Sequence, residues 1–363
     1  MSTAIEVNNL LLLKNNEPLL NIPHLHIPRG EVVGIMGYSG SGKTTLLKTL
    51  ALLEQPDQGS LSIVGQEVQY REATLLPLRR KIALVFQEPL FRDASVRDNV
   101  ALGLKLRKVP KALIKQKVDD CLAKLGLSHL AHRHPNSLSK GEACQVSLAQ
   151  ALVIEPEILL LDEPLAALDP ATRAAILEKL AEIIKETGIT TVYATHDYSE
   201  LSLFAHRAML LYQGTIIQQG TVLDVLNQPQ SAAAASLLGV DNIIPGFVGN
   251  VAEDEVEFNP AGTDVRLYGI PKDSGLYEAY ALIRSEEIEL DAFPGAQWNA
   301  VKGTISRIQP SGSQLKIFLD CGFPLVVTIP HRKYYLKKYV PGQEVTAVFD
   351  PDRTMIVRKL PRQ

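Results

Sequence analysis

Short apolar runs dominate both ends of the chain, and helical patterns lie between them. Residues 5–35 alternate short apolar runs with turn residues and end in the run 31–36, which predicts a small β-subdomain leading into a buried strand. From about 97 to 130, leucines recur at spacings of three and four among lysines. That spacing predicts amphipathic helices, which we interpret as an insertion in the first domain.

In the middle of the chain the run 158–162 is apolar up to its final residue, Asp162, and 189–194 is predicted to be the next buried strand. Continuous apolar runs of this length are typical of strands that are buried on both faces of a parallel sheet. Between them, Pro170 begins a predicted helix that continues to about Glu186, and Gly188 ends it. The alternation of strands and helices predicts a doubly wound α/β core, whose ligands gather at the carboxyl ends of its strands.

The pattern changes beyond an alanine-rich stretch at 231–236. From Ile243 onward nearly every apolar run is short and alternating, and Gly, Pro and Asn-rich turns separate the runs. Many short strands at this spacing predict a small all-β barrel. We therefore expect two domains, one at 1–240 with a helical subdomain at about 97–155, and one at 241–363.

Composition agrees with a globular two-domain protein. The 363 residues are 46% hydrophobic and 21% charged, and the formal net charge of −3 gives no overall attraction to nucleic acid or anionic membranes. No apolar run approaches the roughly 18 residues of a membrane span, and the N-terminus has no signal-like pattern. We expect a cytoplasmic protein unless a partner holds it elsewhere. Three scattered cysteines, Cys121, Cys144 and Cys321, indicate a reducing compartment.

A phosphate-binding loop lies between the predicted strand at 31–36 and the apolar run at 45–53. It matches the pattern G-x-x-x-x-G-K-[ST], in which glycines let backbone N–H groups wrap a triphosphate and the next helix directs its positive end at the phosphates. Lys43 is expected to reach the β and γ oxygens, and the Thr44 hydroxyl to ligate Mg²⁺. The expected ATP-binding residues of this segment are Gly37, Tyr38, Ser39, Gly40, Ser41, Gly42, Lys43, Thr44 and Thr45.

Four further features follow this loop in order. Gln87 stands at a strand end, the segment Leu138-Ser-Lys-Gly-Glu142 opens a helix, an Asp-Glu pair ends the strand at 158–162, and His196 follows the last core strand. With these five linked motifs, residues 1 to about 230 resemble the ATP-binding subunits of ABC transporters. Several motifs in the same order are far more specific than one motif alone.

The resemblance implies a role for each polar residue near the γ-phosphate. Asp162 would position Mg²⁺, and Glu163 would polarise the attacking water as general base. His196 would contact the γ-phosphate, while Gln87 would touch Mg²⁺ or water and report the nucleotide state to a membrane partner. Phosphoryl transfer mainly requires such positioning and charge neutralisation.

The resemblance also implies that two copies act together. In the family, signature residues such as Ser139 and Gly141 donate to the γ-phosphate of the opposite subunit, and Asp169 lies at the same interface. One chain carries one nucleotide domain, so we expect a homodimer. Transmembrane permease subunits and, indirectly, a solute-binding protein would be separate chains, and we expect no nucleic-acid partner.

Two departures from the family pattern stand out. The signature usually reads Leu-Ser-Gly-Gly-Gln, whereas this chain has Lys140 and Glu142 in place of the first glycine and the glutamine. Lys140 could strain the turn or add a cation near the phosphates, and hydrolysis could be slower. The aromatic residue that usually stacks on adenine is absent from Leu11–Asn15, which places adenine affinity in question.

The C-terminal region resembles the regulatory barrel of importer ATPases for molybdate, tungstate, sulfate, ferric iron, sugars or polyamines. The resemblance rests on 281–288 and 299–306, and the segment 319–325 looks most like the molybdate and tungstate members. The basic stretch 331–338 could hold an oxyanion or a nucleic acid, but the solvated face of a short helix is the favoured interpretation.

We therefore expect an Mg²⁺-dependent ATPase that energises an importer of molybdate or a related oxyanion, held at the cytoplasmic membrane face by its permease. Importers of sulfate, ferric iron, sugar or polyamine remain alternatives. Two rival classes are a soluble ABC ATPase working on nucleic acid or translation, and a regulatory subunit that has lost turnover. A metal site at His129, His132 and His134 is disfavoured, because no carboxylate or cysteine pair accompanies them.

Overall fold

The computed structural model describes residues 2–251, 255–272, 278–293 and 298–359. The chain divides into two compact units, residues 1–225 and 226–363. We predicted the domain boundary at residue 240, which lies inside the second unit. The alanine-rich helix at 232–237 belongs to this unit, because Ala235 and Val240 pack in one apolar cluster with Leu282 and Val357.

The first unit alternates strands and helices along most of its length. Its strands are β1 (Thr3–Lys14), β2 (Glu17–Pro28), β3 (Val32–Met36), β4 (Gln58–Ile63), β5 (Gln66–Glu67), β6 (Ile82–Val85), β7 (Ile158–Asp162), β8 (Thr190–Thr195), β9 (Arg207–Tyr212) and β10 (Thr215–Thr221). Its helices are α1 (Lys43–Leu50), α2 (Glu72–Arg79), α3 (Val96–Leu106), α4 (Lys111–Lys124), α5 (Lys140–Leu152), α6 (Pro170–Thr187), α7 (Tyr198–Phe204) and α8 (Val222–Asn227), the last of which ends in the second unit.

A largely parallel sheet forms the centre of the first unit. Its strand order is β10-β9-β3-β8-β7-β6, and all neighbours are parallel except β9 and β10. Every residue of β3, β7 and β8 is buried. Continuous burial explains why β3 and β7 are almost unbroken apolar runs, while β8 buries three threonines among its apolar residues. It also confirms the predicted α/β core. The predicted β-subdomain is the antiparallel sheet β2-β1-β4-β5.

Local signals fix the ends of α6 as the sequence predicts. Asp169 caps its N-terminus by accepting a hydrogen bond from Thr172 N, and Pro170 occupies its first turn. Gly188 ends it in the left-handed conformation with φ 65°, which costs glycine little and other residues more. Helices α3, α4 and α5 bury a separate apolar cluster that includes Val100, Leu122 and Val146, as expected of an inserted helical subdomain.

The second unit is all-β apart from short helices. Its elements are α9 (Ala232–Leu237), β11 (Asn242–Val251), β12 (Val256–Pro260), β13 (Leu267–Pro271), β14 (Glu278–Ile283), β15 (Glu289–Leu290), β16 (Asn299–Ser311), β17 (Gln314–Asp320), β18 (Pro324–Pro330), α10 (His331–Leu336), β19 (Glu344–Phe349) and β20 (Met355–Arg358). Strands β11-β12-β13-β20-β14 close into a barrel, which confirms the predicted barrel, and β15-β19-β16-β17-β18 form a second sheet. Helix α10 contains most of the basic stretch 331–338. Directly after this helix, Lys337 pairs with Asp291 at 2.6 Å.

Three smaller expectations concern membranes, metals and thiols. Among the described residues, no helix combines the length and apolar character needed to cross a bilayer. The described residues also contain no cluster of three or more metal-ligating side chains, and His134 instead contacts Asp93 at 2.8 Å. Cys144 and Cys321 are buried free thiols, and burial raises the pKa of Cys144 to about 12.

Candidate nucleotide-binding site

The phosphate-binding loop joins β3 to α1 at the carboxyl edge of the central sheet. Strand β3 ends at Met36 and α1 begins at Lys43, with Gly42 as its cap at φ 103°. A Cβ atom at Gly37 would lie 2.4 Å from both Leu211 O and Ser41 Oγ. Position 42 therefore requires glycine because of its backbone conformation, and position 37 requires glycine because a side chain has no space there. This geometry leaves the start of α1 open to an anion.

A cavity of about 540 Å³ lies over this loop. It brings together most of the predicted site, although the residues come from distant parts of the sequence. Its lining consists of Lys14, Leu19, Tyr38, Ser39, Gly40, Gly42, Lys43, Thr44, Thr45, Gln87, Glu163 and His196. The carboxyl ends of β3, β6, β7 and β8 all deliver residues here, as expected for a parallel sheet.

Lys43 is the cation at the floor of the cavity. Its Nζ donates to Gly37 O at 2.6 Å and to Tyr38 O at 3.1 Å, and it lies 3.0 Å from Glu163 Oε1. The lysine side chain is only 5% exposed. Its charge is therefore balanced by Glu163, and a phosphate that enters the cavity would compete for the same ammonium group.

Glu163 links Lys43 to His196. Its second carboxylate oxygen lies 2.8 Å from His196 Nδ1, and its backbone N–H donates to Ala194 O at 3.0 Å. Its φ of 44° is in the left-handed region, which is uncommon for a residue with a side chain and is found disproportionately at functional sites. Burial alone would raise the pKa of Glu163, but hydrogen bonds and charge from Lys43 and His196 outweigh it and lower that pKa.

The pKa of Asp162 shifts in the opposite direction to that of Glu163. Burial, together with the adjacent Glu163 charge, raises the pKa of Asp162, although a hydrogen bond from Thr44 opposes this rise. The Thr44 hydroxyl and the Asp162 carboxyl therefore lie in contact. Hydroxyl and carboxylate oxygens are the donors that Mg²⁺ prefers, so these two residues fit the ion that the sequence predicts.

Ser41 supplies the test of whether the loop fits a phosphate. Its hydroxyl oxygen is buried and has no hydrogen-bond partner within the described part of the chain. A buried polar atom without a partner is costly, and a bound group with acceptor oxygens would satisfy it. The unpartnered Ser41 hydroxyl and the crowded Gly37 position both fit a phosphate chain wrapped by this loop.

The signature residues do not line this cavity. Ser139 caps α5 in a capping box: Glu142 N donates to Ser139 Oγ at 3.3 Å, and Ser139 N donates to Glu142 Oε2 at 2.7 Å. The latter bond lowers the pKa of Glu142, the residue that replaces the usual glutamine. Glu142 thus serves as a helix cap, a role that glutamate and glutamine both fill. Lys140, at the first helical position, is exposed.

Asp169 and Gly141 lie on either side of one residue, Thr172. Asp169 Oδ1 accepts from Thr172 N at 3.0 Å, and a Cβ at Gly141 would lie 3.1 Å from the Thr172 methyl carbon. The signature and the loop before α6 therefore adjoin, at a surface separate from the cavity lining. Ser139, Gly141 and Asp169 are not among the residues that line the cavity, which agrees with a role toward a second copy.

The sequence did not predict two of the cavity residues, Lys14 and Leu19. Both belong to the β1–β2 hairpin, and that hairpin approaches the loop because Asn21 N donates to Gly214 O and Gly214 N donates to Ser41 O, each at 2.9 Å. No aromatic residue of the hairpin lines the cavity. The family pattern pointed to the segment Leu11–Asn15, which contains Lys14, as the place of the adenine-stacking residue, whereas Leu19 is identified by tertiary proximity alone.

Comparison with known proteins places this chain among transport ATPases. Residues 20–166 match the family model described as ABC transporter, and residues 281–357 match the TOBE domain. The sulfate/thiosulfate import ATP-binding protein of Mycobacterium tuberculosis is 44% identical over 285 residues, which cover 77% of this chain and 80% of that relative. The molybdate/tungstate import ATP-binding protein of Thermococcus kodakarensis is 41% identical over 61% of this chain and 66% of the relative.

A third relative is named for a cationic solute. The spermidine/putrescine import ATP-binding protein of Bacteroides thetaiotaomicron is 34% identical over 88% of this chain and 67% of its own length.

Two solved structures resemble the chain over their whole lengths. CbiO1 of Clostridium perfringens, described as part of the ABC transporter complex cbiONQ, is 31% identical with a TM-score of 0.60, covering 66% of this chain and 96% of that one. A dimeric ATP-binding cassette in a post-hydrolysis state with ADP and phosphate is 30% identical with a TM-score of 0.56. The match covers 60% of this chain and 98% of that one.

Proposed function

This chain belongs to the ATP-binding proteins of ABC transporters and is an ATPase, and on that premise we propose that it energises an importer of a tetrahedral oxyanion as an Mg²⁺-dependent homodimer. One observation carries the proposal: Lys43, Glu163 and His196 form a continuous chain of contacts of 3.0 Å or less in the cavity over the phosphate-binding loop.

Each of these residues has a separate part in hydrolysis. When the triphosphate enters, Lys43 exchanges its pairing with Glu163 for the β and γ oxygens. Glu163, thereby released, accepts a proton from the attacking water, and His196 holds the γ-phosphate and the position of Glu163. Gln87, at the cavity edge, positions the water and communicates with the permease. Thr44 and Asp162 would hold Mg²⁺, which would supply neutralisation of the charge on the phosphates.

The second copy completes the site. The Ser139 hydroxyl, the Gly141 amide and the start of α5 lie outside the chain's own cavity and are available to another chain's γ-phosphate. Asp169, adjacent to this surface, lies at the same interface. The solved dimer of a related cassette supports this arrangement. The dimer would be held at the cytoplasmic membrane face by permease subunits, which receive solute from a separate binding protein.

The transported solute is the least constrained part of the proposal. Relatives named for sulfate, thiosulfate, molybdate or tungstate are 33–44% identical to this chain, and relatives named for spermidine and putrescine are 34–40% identical, so identity does not separate the two solute classes. Our choice of an oxyanion, specifically molybdate or tungstate, rests on the likeness of segment 319–325 to the importers of those anions. A polyamine importer is the second candidate, because the spermidine/putrescine relative matches 88% of this chain.

Turnover and dimer formation test the hydrolytic part. Wild type and Glu163→Gln are compared for phosphate release, and their association with Mg-ATP is followed by light scattering. We expect Glu163→Gln to lose about 10²- to 10⁴-fold in turnover and to accumulate as an ATP-bound dimer. Glu186→Gln is the control, since Glu186 pairs with exposed Lys124 and is not among the residues lining the cavity. Equal, negligible rates in wild type and Glu163→Gln would contradict the proposal.

Uptake of labelled solutes tests the substrate. Cells that lack the gene for this chain are complemented with wild type or Glu163→Gln and given labelled molybdate, sulfate or putrescine. Restoration of oxyanion uptake by wild type alone supports the proposal. Restoration of putrescine uptake alone would establish the polyamine alternative.

A further inference from the structure

Arg173, in the first turn of α6, contacts three segments around the site. Its Nη1 donates to Asp197 Oδ2 at 2.8 Å, and its Nη2 donates to Leu168 O at 3.1 Å. Its Nε lies 3.4 Å from Glu200 Oε1. The guanidinium is mostly buried, with 21% of the side chain exposed, so these contacts are shielded from solvent.

Two of these contacts adjoin residues of the proposed site. Asp197 directly follows His196, and Leu168 directly precedes Asp169. One planar group thus holds the loop that carries a γ-phosphate contact and the loop that carries the residue we place at the dimer interface. A guanidinium presents donors in a fixed fork, which suits it to hold several acceptors at once, whereas a lysine ammonium acts as a point charge.

The acceptors of Arg173 are themselves fixed. Asp197 Oδ1 accepts from Ser199 N at 2.9 Å and thereby caps α7, which leaves Oδ2 for Arg173. Glu200 faces Arg173 Nε at 3.4 Å as an ion-pair partner, without a hydrogen bond between them. It is 5% exposed and accepts from Tyr193 OH at 2.7 Å and Thr195 Oγ1 at 2.5 Å. The network therefore extends from the end of β8 to the start of α6. Movement of either loop relative to the other would break at least one of these charge-assisted bonds.

We propose that Arg173 is a positioning residue that couples the Asp169 loop to the His196 loop, so that closure of the dimer interface sets the γ-phosphate contact. The inference rests on the site roles of the proposed function, but it concerns a residue that is not among those lining the cavity. Arg173 acts on the hydrolytic step and on communication between the two sites, and not on capture of ATP, because Lys43 and the rest of the loop do not depend on it.

The test compares Arg173→Lys, Asp197→Asn and the double variant in the full-length protein. Asparagine keeps the helix cap at position 197 and removes the charge that faces Arg173. Each single variant should lower kcat at least about tenfold, since small displacements of catalytic groups have large effects. The KM for ATP should stay within about twofold, and the Hill coefficient for ATP should fall toward one. The double variant should be no slower than either single variant.

Arg79→Lys is the matched control. Arg79 is also half-buried and donates from Nε and Nη2 to one backbone carbonyl, Leu52 O, but it lies in α2 outside the network. The Arg79→Lys variant should have the same kcat and the same Hill coefficient for ATP as wild type. Thermal melting of every variant separates loss of folded protein from loss of coupling, and Asp197→Asn keeps the test valid if Arg173→Lys folds poorly.

Three outcomes would overturn the proposal: kcat and Hill coefficient of both single variants within twofold of wild type, activity losses proportional to the unfolded fraction, or independent losses that multiply in the double variant. These rates need no permease or solute. A failed coupling test therefore leaves the importer proposal standing, and failed uptake leaves the coupling proposal standing.

Discussion

The ion pair between Lys43 and Glu163 makes the nucleotide-free protein sensitive to a single substitution. In Glu163→Gln, Lys43 keeps its two backbone acceptors, Gly37 O and Tyr38 O, but loses its counter-ion. At 3.0 Å the Coulomb attraction is about 5.5 kcal/mol for an effective dielectric constant of about 20. Desolvation of both groups offsets most of this energy. A hydrogen bond to a charged group contributes about 1.5–3 kcal/mol net, so we expect a destabilisation of about 2 kcal/mol.

The expected shift is measurable by thermal melting. For a unit of 225 residues, about 2 kcal/mol corresponds to a Tm lower by about 4–8 °C. Because the triphosphate would replace Glu163 as the counter-ion of Lys43, saturating Mg-ATP should remove most of the difference between wild type and Glu163→Gln. The Tm increase on adding ATP is therefore expected to be larger in the variant.

The pH dependence has a defined sign. The folded protein lowers the pKa of Glu163 below the value of about 4.3 for a free glutamate. The stabilisation of wild type relative to Glu163→Gln is thus fully present above pH 4.3 and disappears as the pH falls through the lower folded-state pKa. Melting curves of both proteins at several pH values between 7 and 3.5 measure how this stabilisation changes with pH. A variant that melts with wild type at pH 7, or whose deficit persists with saturating ATP, would refute this account of Lys43.

Three further predictions concern other parts of the chain. Gly188→Ala places a side chain at φ 65°, so the free energy of unfolding should fall by about 1 kcal/mol in urea titrations while ATP turnover per folded molecule stays constant. Lys14→Ala should raise the KM for ATP about two- to fivefold without changing kcat, and Lys14→Arg should behave like wild type, because the cation at the cavity wall is exposed and contributes under about 1 kcal/mol. Burial raises the pKa of the Cys144 thiol to about 12, so aromatic disulfide reagents at pH 8 should modify this thiol far more slowly in the folded protein than after unfolding.

Much of the site was predictable because its motifs are local. The phosphate-binding loop needs glycines and a lysine at fixed spacing, and the sequence displays this spacing directly. A continuous apolar run predicts the buried strand β7, whose carboxyl end bears Asp162. The alternation of strands and helices predicts β8, which precedes His196. The caps of α6 follow from the same kind of local signal, since Asp169, Pro170 and Gly188 act on their own backbone.

Other features depended on the environment that the fold creates. In isolation, nothing in the Asp162-Glu163 pair shows that burial raises the pKa of the first and that Lys43 lowers the pKa of the second. Glu142 departs from the family pattern in sequence, yet its capping box with Ser139 makes it a helix cap. The location of α9 in the second unit also required tertiary packing, because alanine-rich segments have no strong preference for one neighbour over another.

There is a physical reason why the amino-acid sequence predicts some features of this protein and the tertiary structure is needed for others. Periodicity, turn chemistry and loop motifs act over a few residues, so the sequence alone determined the class of fold, the phosphate-binding loop and the main polar residues of the site. Contacts between distant segments depend on how strands and loops meet in space. Only the tertiary structure decided that Lys14 and Leu19 border the nucleotide cavity, that Glu163 pairs with Lys43, and that one guanidinium joins the loops before α6 and α7.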